Sequence, residues 1–75
     1  MKFGISENVK IKLLDFKKKN VETYQKVAYT INFLKDNPQK GNLIKMNFYI
    51  IDVVATNLKI MYIFKDNKLA IIGLE

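Results

Sequence analysis

Lysine is the side chain of this sequence best suited to take part in catalysis or anion binding, because cysteine and histidine are both absent. Zinc sites built from Cys or His are therefore excluded, as are Cys or Ser nucleophiles activated by a histidine base. The carboxylates are isolated along the chain, and Gly4, Gly41 and Gly73 match no phosphate-binding loop. No metal, cofactor or acid–base pair is expected.

Lys59 is the candidate electrostatic group. It lies in an apolar stretch between Leu58 and Ile60, which predicts a mid-strand position. A lysine there can hold a phosphate or stabilise negative charge that develops on it. The alternative is a lysine that only extends its ammonium group to water at a sheet edge. Residues 17–19 are three consecutive lysines, which suit the end of a helix and offer a secondary phosphate contact.

The charge balance favours a polyanionic partner. Thirteen lysines face seven carboxylates, and the net charge is +6. RNA, DNA or an acidic protein segment would fit this charge, but so would a composition bias toward Lys, Asn and Ile with no functional meaning. The longest apolar run is residues 69–74, too short to span a membrane, and residues 1–5 do not read as a signal peptide. We expect a cytoplasmic protein without disulfides or membrane contact.

The first half of the chain predicts a short strand and two helices. Residues 1–5 read as the strand, and Ser6 as the N-cap of a helix over 7–19. Asn20 can cap a second helix that stops at Asp36, two residues before Pro38. Apolar residues recur at steps of three and four along both helices: Val9, Leu13, Leu14 and Phe16 in the first, and Val21, Tyr24, Val27, Ala28, Ile31 and Leu34 in the second.

The second half predicts a three-stranded antiparallel meander. Residues 39–47 read as a loop, and the hydrophobic period then changes to two over 48–54, 58–65 and 68–74. Asp66-Asn67 forms a two-residue hairpin turn, and the first hairpin turns near residues 56–57. This register pairs Phe64 with Leu69 and Tyr62 with Ile71, then Ile60 with Gly73 and Met61 with Ile72. The fold class is therefore α+β, in one domain over residues 1–75.

Alternation divides the strand residues between two faces. We assign to the core face Tyr49, Ile51, Val53, Leu58, Ile60, Tyr62, Phe64, Leu69 and Ile71. The second face should be wet, yet it carries an apolar patch of Ile50, Val54, Met61, Ile63 and Ile72. Such patches mark interaction sites. The alternative is that β-branched residues simply suit strands, and that the loop after the second helix covers them.

Three segments resemble the RelE/ParE toxin superfamily of toxin–antitoxin modules. FGISENVKIKLLDF (3–16) resembles the family's first strand and helix. INFLKDNPQKGNLIKM (31–46) resembles its "L–x–x–N–P" helix end and basic loop. YIIDVVATNLKIMYIFKDNKLAIIGL (49–74) resembles its strand pair and final strand. The resemblance implies a strand, a helical hairpin and then antiparallel strands, in a toxin-like protein that acts on translation at the ribosome and its mRNA.

The same resemblance implies which residues contact RNA and partner. Lys59 stands at the family's strand arginine, and we expect Lys45, Lys59, Lys65 and Lys68 to bind nucleic acid. Ile50 and Asp52 replace basic residues, and no catalytic segment follows the last strand, so nuclease activity should be weak or lost. The apolar patch would bind an antitoxin-like protein or a second copy of the chain. A gyrase-directed toxin and a non-enzymatic interaction module remain open alternatives.

Overall fold

A computed structural model describes the whole chain, residues 1–75. It consists of two helices and five strands, in the order β1 (Lys2–Ile5), α1 (Glu7–Lys19), α2 (Val21–Asp36), β2 (Asn42–Lys45), β3 (Phe48–Asp52), β4 (Lys59–Lys65) and β5 (Lys68–Leu74). The α+β class, both helix ranges and the last strand agree with the sequence-based prediction.

Local signals explain where the helices begin and end. The Oδ1 atom of Asn20 accepts a hydrogen bond from the Thr23 amide at 3.2 Å, so the predicted cap of α2 is confirmed. Ser6 has the extended backbone of an N-cap, but its hydroxyl donates to Asn8 Oδ1 and accepts no helix amide. The predicted N-cap position is therefore confirmed, but the side chain makes no capping hydrogen bond, because its hydroxyl is engaged by Asn8.

The strands form one mixed sheet in the order β1-β5-β4-β3-β2. The antiparallel meander of β3, β4 and β5 is present, but it is the middle of a larger sheet, because β1 pairs in parallel with β5. The prediction of a loop over 39–47 is wrong: β2 lies within it and pairs with β3. A turn at Met46, where φ is 51°, folds Leu43 back against Tyr49. A four-residue strand with a bulge carries no readable alternation.

The strand ends and one register differ from expectation. β3 ends at Asp52 and β4 begins at Lys59, because the connection passes through Ala55 at a φ of 59°. The Asp66-Asn67 turn is confirmed, with φ of 52° and 60°. Its adjacent pairs are also confirmed, but a bulge beyond Tyr62 shifts the register, so that Met61 faces Gly73 and Ile60 faces Leu74.

The two helices pack on one face of the sheet and enclose a single core. The predicted core face is confirmed: six of its nine residues are buried, and Ile51, Leu58 and Phe64 pack half-buried against them. Leu14 and Val21 are exceptions in the predicted helical stripes, because they are 59% and 54% exposed at the margin of the helix pair. The buried apolar residues are Val9, Val27, Ile31, Leu34, Tyr49, Val53, Ile60, Tyr62, Leu69, Ile71 and Leu74.

Tyr62 ties the segment between α2 and β2 to the core. Its ring stacks on Tyr49 with centroids 5.0 Å apart, and its hydroxyl accepts a hydrogen bond from the Gly41 amide at 3.0 Å. A Cβ at position 41 would lie 2.5 Å from that hydroxyl oxygen. Because the tyrosine is fully buried and cannot move aside, this close approach requires glycine.

Tyr62→Phe should lower the free energy of unfolding by about 1–2 kcal/mol, since it leaves the Gly41 amide without its acceptor. Burial raises the pKa of the Tyr62 hydroxyl above 10.0, against the opposing effect of the Gly41 hydrogen bond. The stability linked to this proton is present below about pH 10 and is lost as the pH rises through the folded pKa. Urea titrations at pH 7 and pH 11 should therefore show that raising the pH lowers the free energy of unfolding less in the variant than in the wild type. An equal decrease in both proteins would contradict this role of the Tyr62 hydroxyl.

Candidate functional site

The face of the sheet opposite the helices is the candidate site, called here the open face. Strand pairing places successive residues of each strand alternately on this face and on the core face. Gly41 lies against Tyr62 of the core face, and Ile63 and Ile72 are 39% and 37% exposed, so the segment after α2 leaves part of the apolar patch uncovered. The open face carries Lys2, Gly4, Asn42, Lys45, Phe48, Ile50, Asp52, Lys59, Met61, Ile63, Lys65, Lys68 and Ala70.

One end of the open face is basic. Lys68 lies directly opposite Lys65 on one side and Lys2 on the other, so three neighbouring strands present three lysines in a row. Lys45 lies on β2, two strands beyond Lys65 of β4, and on the same face as Phe48. All four side chains are exposed and form no ion pair, not even with Asp66 in the adjoining turn. We call these four lysines the basic end.

The basic end costs folding stability, since like charges directly opposite each other on a sheet repel. Cross-strand neighbours lie about 5 Å apart, which is short enough for one polyanion to contact several of these ammonium groups. A bound row of phosphates would convert this repulsion into attraction. The arrangement therefore favours an anionic ligand at this end of the sheet.

The centre of the open face is apolar. Phe48 and Ile63 lie opposite each other and line a shallow depression together with Lys45, Met46 and Asn47. Met61 lies flat across Gly73, where a Cβ would be 2.6 Å from the methionine methyl carbon. The apolar centre lies beside the basic end, and Ile63 and Ile72 are 39% and 37% exposed.

The other end of the open face holds Lys59, at the first position of β4 and not mid-strand as predicted. Its Nζ lies 2.6 Å from Asp52 Oδ1, on the neighbouring strand. On the opposite side, the Glu75 amide donates to the Lys59 carbonyl at 2.9 Å. Both side chains of the ion pair are more than half exposed, so the pair contributes only about 0–1 kcal/mol to stability. It nevertheless neutralises the ammonium group proposed to stabilise charge.

The structure thus divides the predicted nucleic-acid residues into two places. Lys45, Lys65 and Lys68 belong to the basic end, whereas Lys59 lies at the far end beside Asp52. Lys2 completes the basic end and was missed, because only the parallel pairing of β1 with β5 brings it there.

The predicted apolar patch is also divided. Four of its residues lie on or beside the open face, close to Phe48 or to Gly73. They are Ile50, Met61, Ile63 and Ile72. Val54 lies past the end of β3 and lines a groove on the helical side, together with Tyr29 and Phe33 of α2. Its predicted place in the patch is wrong, because the strand ends two residues before it.

The open face offers lysines that can bind anions and a single carboxylate, Asp52. There is no histidine, and Asp52 is engaged by Lys59. The Tyr62 hydroxyl is buried on the opposite face. Nowhere do three or more His, Cys, Asp or Glu side chains come close enough to hold a metal ion. Lysines can hold phosphates, and an exposed aromatic edge can contact bases.

Neither helix is long and apolar enough to cross a membrane. Comparison of the chain with protein-family models, with curated proteins and with solved structures finds no match. The geometry of the open face is therefore the basis on which a function is inferred.

Proposed function

We propose that this chain is a toxin-like protein of the RelE/ParE type that acts on translation by binding RNA through its open face, with weak or lost nuclease activity. The observation that carries the proposal is the row of three unpaired lysines, Lys2, Lys68 and Lys65, at one end of that face, with Lys45 on the same face beside Phe48. The order of strand, helical hairpin and antiparallel strands also agrees with the order that the resemblance implies.

The side chains favour RNA as the ligand. Proteins that bind single-stranded nucleic acids combine a basic track for the phosphates with an aromatic or apolar surface for the bases. Here the basic end supplies the track, and Phe48 with Ile63 supplies the adjoining surface. A flat sheet face suits an unstacked single strand better than the narrow major groove of an RNA helix.

The side chains also favour binding over cleavage. Cleavage of RNA by an attacking ribose hydroxyl is accelerated by a general base and a general acid, whereas the open face holds no histidine and its single carboxylate, Asp52, is paired with Lys59. Removing one preorganised charge-stabilising group costs about 10²–10³ in rate. Because Lys59 is paired with Asp52, its positive charge is partly offset at the place where the resemblance puts it.

Purified protein should produce no, or only weak, new mRNA ends in a primer-extension assay on translating ribosomes, and Lys59→Ala should leave the pattern unchanged. Inducible expression in a bacterial host should still slow growth, since the protein would block translation of the RNA that it binds without cutting it. Replacing Lys65 and Lys68 with glutamine should relieve that growth defect. Strong cleavage that Lys59→Ala abolishes would contradict the proposal, as would a growth defect that is insensitive to the basic end.

A second candidate function rests on the apolar centre of the open face, which suits a non-enzymatic module that binds a protein. Covering each exposed aliphatic side chain contributes about 1.5–3 kcal/mol before the cost of association. In that case an antitoxin-like segment, or a second copy of the chain, would lie across Met61 and Ile63.

Met61→Lys combined with Ile63→Lys should keep the protein folded, because both side chains lie on the face away from the core. If the apolar centre is a protein interface, the variant should lose association in sedimentation or partner pull-down while circular dichroism stays unchanged. Exposed Ile11→Lys and Leu14→Lys on α1 form the matched control, which should associate normally. Unchanged association of the open-face variant would reject this second function.

A further inference from the structure

The outer edge of β2 is an unpaired strand edge, and RNA binding by the open face gives it no role. β2 is the last strand of the sheet, so one row of its backbone N–H and C=O groups has no neighbouring strand. All four of its residues are exposed. Leu43, Ile44 and Met46 are 57%, 56% and 80% exposed, which gives this edge an apolar character that edge strands normally avoid.

The two sides of this edge differ in chemistry. Leu43 pairs with Tyr49 and so lies on the helical side of the sheet, near the half-buried Ile51. Lys45 pairs with Phe48 and lies on the side of the open face. A strand added to this edge would therefore place alternate side chains against an apolar surface and against a positive charge.

Charge decides which kind of strand fits. From Asn37 to Ile51 the chain contains Lys40 and Lys45 but no carboxylate. A second copy would bring the same lysines and another net charge of +6 to the contact. Lys45 discourages such self-pairing, because it would meet further positive charge. The same charge attracts an acidic strand.

The opposite edge of the sheet lacks this combination. On β1 the ring of Phe3 is covered by the ammonium group of Lys35, whose Nζ lies 4.4 Å from the ring centroid. Phe3 is 36% exposed, less than Leu43 or Ile44. β2 is the edge at which an incoming strand finds uncovered aliphatic side chains.

We propose that the outer edge of β2 binds an extended segment of a partner protein in which apolar and acidic residues alternate. The segment adds a sixth strand, with its apolar side chains toward Leu43 and its carboxylates toward Lys45. This binding is of the β-augmentation kind, in which main-chain hydrogen bonds supply affinity and alternate side chains supply specificity. It stands independently of RNA binding, with which it shares only Lys45.

The test uses the full chain and a labelled, end-capped octapeptide of alternating valine and glutamate, followed by fluorescence anisotropy. We expect saturable binding, with amide chemical-shift changes at residues 42–45 exceeding those at residues 2–5. Leu43→Lys should weaken binding at least about tenfold, since it removes a central apolar contact. Leu14→Lys, a matched exposed leucine on α1, should leave the affinity within about twofold.

Further peptides separate strand pairing from simple charge attraction. Two copies of the peptide carry N-methyl groups on alternate amides, one at the odd and one at the even positions, so that each lacks hydrogen-bond donors along one edge. One of these two copies should bind at least about tenfold more weakly than the parent peptide. A valine–lysine copy should not bind. Equal affinity for both N-methylated copies and the parent, or for Leu43→Lys and the wild type, would overturn the proposal. So would a wild-type dimer in sedimentation that Leu43→Lys dissociates, since the occupant would then be a second copy.

Discussion

Replacing Lys2, Lys45, Lys65 and Lys68 together with glutamine is expected to lower the affinity for single-stranded RNA by about 100-fold at low salt. Each phosphate neutralised on a single strand contributes about 0.7 to the slope of log affinity against log salt. Four contacts therefore predict a slope of about −3 for the wild type, and a slope near zero for the variant. Anisotropy titrations of a labelled RNA at four salt concentrations measure both quantities.

The matched control removes the same number of charges from α1. Lys10, Lys17, Lys18 and Lys19 also number four and are exposed, so their replacement with glutamine changes the net charge equally. It should change the RNA affinity by less than about fivefold. If the two variants lose affinity to the same extent, the net charge of +6 and not the basic end accounts for binding.

The second large effect concerns stability. Ile60→Ala should remove most of the free energy of unfolding at 25 °C, because the side chain is fully buried between the sheet and the helices. Truncating a buried isoleucine to alanine costs about 2–5 kcal/mol. A domain of this size has about 3–5 kcal/mol of net stability in total. Circular dichroism with urea titration measures the loss.

Ile63→Ala is the control on the same strand. Ile63 points to the open face and is 39% exposed, so its truncation should cost less than about 1 kcal/mol. Comparable destabilisation by the two substitutions would mean that the open face is covered in the folded protein. The core-face assignment would then fail.

The helices and the last hairpin were predictable because their signals are local. Asn20 and Pro38 mark the ends of α2 by capping and by steric exclusion. Asp66 and Asn67 both tolerate the positive φ that the turn requires, so the hairpin and its nearest cross-strand pairs follow directly. Alternation by two then separates the core face from the open face.

The missing parts of the fold depend on contacts between distant residues. β2 has only four residues, too few for a hydrophobic period to show, and β1 was predicted as a strand but without its pairing partner. The parallel pairing of β1 with β5, which brings Lys2 to Lys68, joins segments more than sixty residues apart in the chain. The bulge beyond Tyr62 is set by the packing of Leu74 in the core, which no local pattern reveals.

The candidate site was predictable in composition but not in arrangement. All four predicted lysines, and four of the five predicted apolar residues, lie on or beside the open face, but Lys59 lies at the end opposite the other three lysines. The Lys59–Asp52 pair required the register of the first hairpin, where the turn through Ala55 gave no clear signal. That register changes the interpretation of Lys59 from a free ammonium group to a neutralised one.

The most direct test of the RNA-binding face is a titration of ¹⁵N-labelled protein with an unstructured ten-nucleotide RNA, observed by amide chemical shifts. The account predicts that the largest shifts fall on Lys2, Lys45, Phe48, Lys65 and Lys68, and that the RNA is recovered intact. Shifts concentrated on residues 17–19 of α1, or no shifts at RNA concentrations well above that of the protein, would contradict it.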